Sequence, residues 1–170
     1  MANLKPQDVL VALKLEARGK APWTYAELAR DLHMSSAEVF HGVRRLEASR
    51  LYSAALRRVL AAPLLEFLIH GLPYVFPASA GVPTRGIPTA ASAPPLRGTM
   101  VTGPEDELVW PHAEGTVRGR AVEPLYHSAP LAAQHDEKLH ELLALVDSIR
   151  LGRARERELA RSELKKRILH

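Results

Sequence analysis

Ala37, His41 and Arg44 recur at spacings of four and three residues. On a helix turning about 100° per residue they share one face, with Phe40 and Arg45 flanking it and Val39, Val43 and Leu46 opposite. That outer face carries chemistry suited to base edges. A guanidinium makes paired bonds to guanine O6 and N7, an imidazole donates to purine acceptors, and a methyl such as that of Ala37 meets the methyl of thymine. Ser35 and Ser36 precede this face, where a helix start exposes free N–H groups and the positive end of its dipole, a favourable place for phosphate. Arg57 and Arg58 follow as adjacent cations, and their candidacy for phosphate contacts comes with the family resemblance given below. The candidate contact residues are therefore Ser35, Ser36, Ala37, His41, Arg44, Arg45, Arg57 and Arg58.

Catalytic patterns are scarce. The chain has no cysteine, which excludes disulfides, thiolate metal sites and thiol nucleophiles. Its eight histidines are scattered, and His135 and His140, five residues apart, do not share a helix face as a metal pair requires. There is no glycine-rich phosphate loop and no Gly-x-Ser-x-Gly elbow. The acidic cluster from Gly103 to Glu107 reads as a solvated turn. The expectation is a protein that is not an enzyme and needs no metal or cofactor.

The elements that must hold the candidate face are marked by caps. Thr24-Tyr-Ala-Glu27 and Ser35-Ser-Ala-Glu38 are two capping boxes, in which a hydroxyl accepts from an orphan backbone N–H while the glutamate reaches back. Pro6 suits the first position of an earlier helix. Leu28, Ala29 and Leu32 give the second helix an apolar stripe that packs on Val39, Val43 and Leu46 of the third. Ala29 and Gly42 are small enough for close helix approach, which accounts for a glycine inside a helix. Phe40 is expected to be buried against a neighbouring segment. In the first helix Val9 to Leu13 and Leu15 are apolar around most of the circumference, so it is covered on more than one side, by a partner copy or by the C-terminal helices.

The stretch from Leu28 to Leu46 resembles the helix-turn-helix of winged-helix transcriptional regulators, including the MarR-like group, with Ala29, Leu32, Ser35, Val39, Val43 and Leu46 at matching positions. The resemblance covers about residues 5–60. His33 stands where that pattern has a glycine in a left-handed turn. The resemblance implies a third helix in the major groove of double-stranded DNA and a two-stranded wing after Leu51. The segment Leu51 to Leu60 lacks an Asn-Gly or Asp-Gly turn and is equally open to a helical reading.

Charge and composition divide the rest. Of the net charge of +4, residues 1–60 carry +4, residues 61–135 carry −2 and residues 136–170 carry +2, so the positive charge lies at the two ends. Ten of the thirteen prolines and seven of the ten glycines fall between Gly71 and Pro130, which disfavours long helices there. Leu72 to Phe76 and Gly115 to Val122 have strand-like content and predict a small antiparallel sheet. Gly81 to Glu107 reads either as an ordered loop or as a linker. Arg85-Gly-Ile-Pro-Thr-Ala90 and Trp110-Pro111 look too particular for a linker and suggest a partner or ligand surface.

From Glu137, Leu139, Leu142, Leu143, Val146 and Ile149 recur at helical spacing. They form either a dimer seam or a face packed on the chain's own sheet. Gly152 breaks that helix before a charged one ending near Ile168, with Glu163 and Arg167 at ion-pair spacing. The longest apolar stretch, Leu60 to Phe76, is broken by Glu66, His70 and prolines, and no N-terminal export pattern is visible. No membrane span is expected, and the cytoplasm is the expected location.

The fold class expected is mainly α with a small β region: a winged helix-turn-helix over 1–62, a short helix with a Pro/Gly-rich small sheet and loops over 63–130, and C-terminal helices over 131–170. The function expected is a sequence-specific DNA-binding transcriptional regulator, a repressor acting as a homodimer. The alternative is an antitoxin-like or adaptor module that holds a protein partner through residues 71–170.

Overall fold

In the computed structural model, which describes residues 3–100 and 103–170, Pro6 opens helix α1 (Pro6–Arg18), and the Asp8 carboxylate accepts from the backbone N–H of Lys5 at 2.8 Å. Both capping boxes form as the sequence implies. Thr24 and Glu27 exchange bonds of 3.1 Å at the start of α2 (Tyr25–Leu32). Ser35 and Glu38 do the same, at 3.1 and 2.7 Å, at the start of α3 (Ser36–Ala48). Between them His33 takes the left-handed conformation, φ 53° and ψ 43°, the backbone that a tight helix-to-helix turn demands and that histidine tolerates better than most residues.

The two stripes meet as expected: Leu28, Ala29, Leu32, Val39, Val43 and Leu46 are all buried. A Cβ on Gly42 would lie 3.0 Å from Asp8 Oδ1 and 3.6 Å from Val11 Cγ2, so the glycine lets α3 close onto α1 rather than onto α2. After Leu51 the chain forms a hairpin, β1 (Tyr52–Ser53) paired antiparallel with β2 (Arg58–Val59). Its turn needs a left-handed residue, and Arg57, φ 49°, supplies it where the sequence offers no glycine.

The chain then forms α4 (Ala61–His70) and a single helical turn, α5 (Leu72–Val75). The strand expected over Leu72 to Phe76 is thus corrected. Pro73 presets helical φ in the first turn, and the N–H groups of Tyr74 and Val75 both donate to Gly71 O. The segment from Gly81 onward is neither a linker nor an irregular loop at its start, because β3 (Ala80–Pro88) runs through it. This strand pairs antiparallel with β4 (Leu108–Pro111) and with β5 (Val117–Val122), and β4 pairs parallel with β5, closing a three-stranded barrel. So small a barrel requires backbones in near contact. A Cβ on Gly86 would sit 1.9 Å from Trp110 O.

Within these two segments Thr89 and Trp110 are fastenings inside the chain, while Arg85 and Pro111 stay exposed. Asp147, 1% exposed, accepts from Thr89 Oγ1 at 2.6 Å, from Trp110 Nε1 at 2.7 Å and from Arg150 at 2.8 Å. Arg150 also donates to the carbonyls of Phe76 and Glu123. His140 donates from Nε2 to Pro88 O at 2.8 Å and lies over the Trp110 ring. A buried carboxylate with three donors is satisfied, and its role is to clamp the barrel to one helix.

That helix is α7 (Glu137–Leu151), preceded by α6 (Ala129–Gln134) and followed, after Gly152 in the left-handed conformation, by α8 (Ala154–Ile168). Leu139, Leu142, Leu143, Val146 and Ile149 are 4% exposed or less. The alternative of a dimer seam is thereby removed for this stripe, because the chain's own elements cover it. Helix α7 also packs on α1, so the all-round apolar character of α1 is met within the chain. Lys14, 7% exposed, is stabilised there by Asp136 at 2.7 Å and Asp31 at 3.4 Å, the former being the N-cap of α7. Residues from Val9 to Ile168 share one apolar core. The expected pair of Glu163 and Arg167 forms, and Arg167 also reaches Glu141.

Among the described residues no helix is long and apolar enough to cross a membrane.

Candidate nucleic-acid interface

Helix α3 is held on three sides: by α2 through the apolar stripe, by α1 through Gly42, and by the hairpin beyond its C-terminus. Its outer side is open. Ser35, Ser36, Ala37, His41 and Arg44 are all exposed. The Ser35 hydroxyl already accepts from Glu38 N as a cap, and its proton is available to an acceptor outside. Arg44 makes no hydrogen bond or ion pair among the described residues, so its forked donor is uncommitted.

Arg45 is different, and the expectation for it is corrected. Its guanidinium turns away from the outer face and donates through Nε and Nη2 to the two oxygens of Asp8, at 2.7 and 2.8 Å. The Asp8 side chain is completely buried and that of Arg45 is 16% exposed. The bonds that Arg45 donates to Asp8 raise its pKa above the ordinary value, against the opposing effect of burial. A bidentate pair of this kind fixes α1 against α3 and leaves the guanidinium unavailable to a base.

Phe40 is 43% exposed rather than buried, and its ring stacks edge-on against Tyr25 at 5.5 Å and lies 5.5 Å from His41. It flanks the outer face of α3 on the side of Tyr25.

The hairpin arginines separate in role. Arg57 caps the Trp23 ring at 4.6 Å and donates to Trp23 O at 3.2 Å, while Trp23 Nε1 donates back to Arg57 O at 3.2 Å. Arg57 therefore pins the hairpin to the connection between α1 and α2, with only part of its guanidinium left over. Arg58 is exposed and without an ion pair among the described residues.

Three exposed or partly exposed side chains near this surface were not legible as part of it. Arg50, left-handed at φ 62°, is exposed just past the end of α3; its position after the last apolar residue of the stripe was the available signal. Tyr126 and His127 follow β5, and the Tyr126 hydroxyl donates to Glu38 Oε1 at 3.2 Å. Nothing in the sequence links positions 88 residues apart. The Glu38 carboxyl is held below its ordinary range, first by the Ser35 backbone N–H and then by the Ser35 hydroxyl, against burial, with Tyr126 and His127 as lesser aids.

The described residues contain no group of three or more His, Asp or Glu placed to hold a metal ion.

Comparison with protein-family models, with curated proteins and with solved structures gave no match.

Proposed function

We propose that the chain is a sequence-specific regulator of transcription, a repressor that lays α3 in the major groove of double-stranded DNA and uses the β1–β2 hairpin as a wing. The observation that carries this reading is the asymmetry of α3. One face is wholly buried, and the opposite face presents Ala37, His41 and the uncommitted Arg44 to solvent behind a capped N-terminus with Ser35 and Ser36. The left-handed His33 turn and the hairpin at the wing's place support it further. Arg44 and His41 would read base edges, and Ser35, Ser36 and Arg58 would bind phosphate.

The homodimer belongs to this proposal on the general ground that such readers pair half-sites roughly 34 Å apart. Its seam must lie elsewhere than the α7 stripe, and sedimentation of the free and DNA-bound protein tests it.

The deciding experiment is binding to the protein's own promoter fragment against a scrambled fragment across a salt series. Preference for the promoter that persists as salt rises supports specific reading. Equal, steeply salt-sensitive binding refutes it. Arg44→Ala should cost about 1–3 kcal/mol on the promoter alone. Arg58→Ala should weaken both fragments equally and flatten the salt slope by about one.

A second reading has one observation in its favour. Tyr74, Val75 and Val82, at 80%, 57% and 77% exposure, are large apolar side chains left uncovered within 71–170, as a surface for a protein partner would require. A partner that co-purifies with the chain and is lost on Tyr74→Ser with Val82→Ser, but kept on Arg44→Ala, would favour it.

A further inference from the structure

We propose that the loop between β5 and α6 is a second part of the DNA-contacting surface, with His127 donating to a backbone phosphate of the duplex that α3 reads and Tyr126 as the residue that positions it. This rests on the DNA reading given above.

The loop is fixed to the end of α3 that enters a groove. Glu38 lies in the first turn of α3, where one of its oxygens accepts from Ser35 N at 2.7 Å and the other from the Tyr126 hydroxyl at 3.2 Å. One carboxylate therefore ties the helix start and the loop together. The loop is held from behind as well. Ala129 N donates to Tyr126 O at 2.9 Å, and Ser128, Ala129 and Pro130 are buried as the chain enters α6. The Tyr126 and His127 rings stack with centroids 4.2 Å apart, which limits the freedom of the imidazole.

His127 itself is exposed and makes no hydrogen bond or ion pair among the described residues. The side-chain bond from this loop to α3 is made by Tyr126, and His127 makes none among the described residues. Its place does suit a phosphate. A helix start inserted in the major groove is flanked by phosphodiester strands, and Glu38 on that flank would repel them. An adjacent imidazole N–H offsets that repulsion and supplies a donor.

The test uses the full chain with His127→Ala, His127→Lys and Tyr126→Phe, each measured against the promoter and scrambled fragments over a salt series, with thermal melts as a control. His127→Ala should weaken binding to both fragments about threefold to tenfold and leave the melting temperature unchanged. His127→Lys should keep or raise affinity and steepen the salt slope by about one. Tyr126→Phe should weaken binding less, with the slope unaltered. If both His127 variants bind as the unaltered protein does while Arg44→Ala loses the promoter, this inference is overturned and the DNA reading stands. If the unaltered protein shows no promoter preference, both are overturned.

Discussion

Arg45 decides whether the outer face of α3 has been assigned correctly, because helical spacing places it beside Arg44 while its bonds place it in the interior. Replacing Arg45 by alanine leaves the Asp8 carboxylate, completely buried, with the Lys5 N–H as its remaining hydrogen-bond donor. Breaking one side of a buried pair costs about 3–5 kcal/mol. For a chain of this size each kcal/mol moves the melting temperature by about 2–4 °C, so the expected fall is roughly 6–20 °C. Thermal and urea melts followed by far-UV circular dichroism read this directly. The double variant Asp8→Leu with Arg45→Met removes both charges and fills the space, and should recover most of the loss. It should also keep the promoter affinity of the unaltered protein. An Arg45→Ala variant that melts within about 2 °C of the unaltered chain and instead loses DNA would refute the inward pairing, for then the guanidinium serves the outer face after all.

Other outcomes follow from the same geometry. An added Cβ at Gly86 would overlap Trp110 O and force the strands apart, whereas one at Gly81 meets Ala121 O at an ordinary 3.6 Å; the first should cost about 3 kcal/mol or more and the second almost nothing, compared by melts. Asp147→Leu strands the donors of Thr89, Trp110 and Arg150, with an expected loss of about 3–5 kcal/mol and a red-shifted tryptophan emission; an unchanged spectrum and stability would remove the clamp from the account. Glu38 has a depressed folded pKa, so the stability it contributes is present above the ordinary glutamate value and is lost as pH falls through the lower folded value. The melting gap between the unaltered protein and Glu38→Gln should be widest at neutral pH and close in acid, and a gap constant with pH would contradict the assignment.

Much of the N-terminal third was legible because its determinants are local. Each capping box closes within four residues, each apolar stripe reports its own helix face, and the left-handed turn falls on His33, one of the few residue types besides glycine that accept it. The α7 stripe was equally plain as a helix face. What covers that face was not, since a periodic pattern says that a side is buried and not by which element.

The sequence by itself determined the starts of α2 and α3, the faces of α1, α3 and α7, and the break at Gly152, all of which follow from the 3.6-residue period and short-range hydrogen bonds. Tertiary structure alone decided the rest. Leu72 to Phe76 reads as a strand by content, yet among the described residues no partner strand reaches it, and Pro73 favours the helical turn. Gly81 to Glu107 reads as an ordered loop or a linker because of its prolines and glycines, yet it begins within β3, where Gly86 lets the strands close. Arg45 faces inward because of a carboxylate 37 residues earlier, and Tyr126 reaches α3 across 88 residues. A side chain with several rotamers takes its direction from the charge or backbone it finds in space, and that partner is set by the packing of the whole chain.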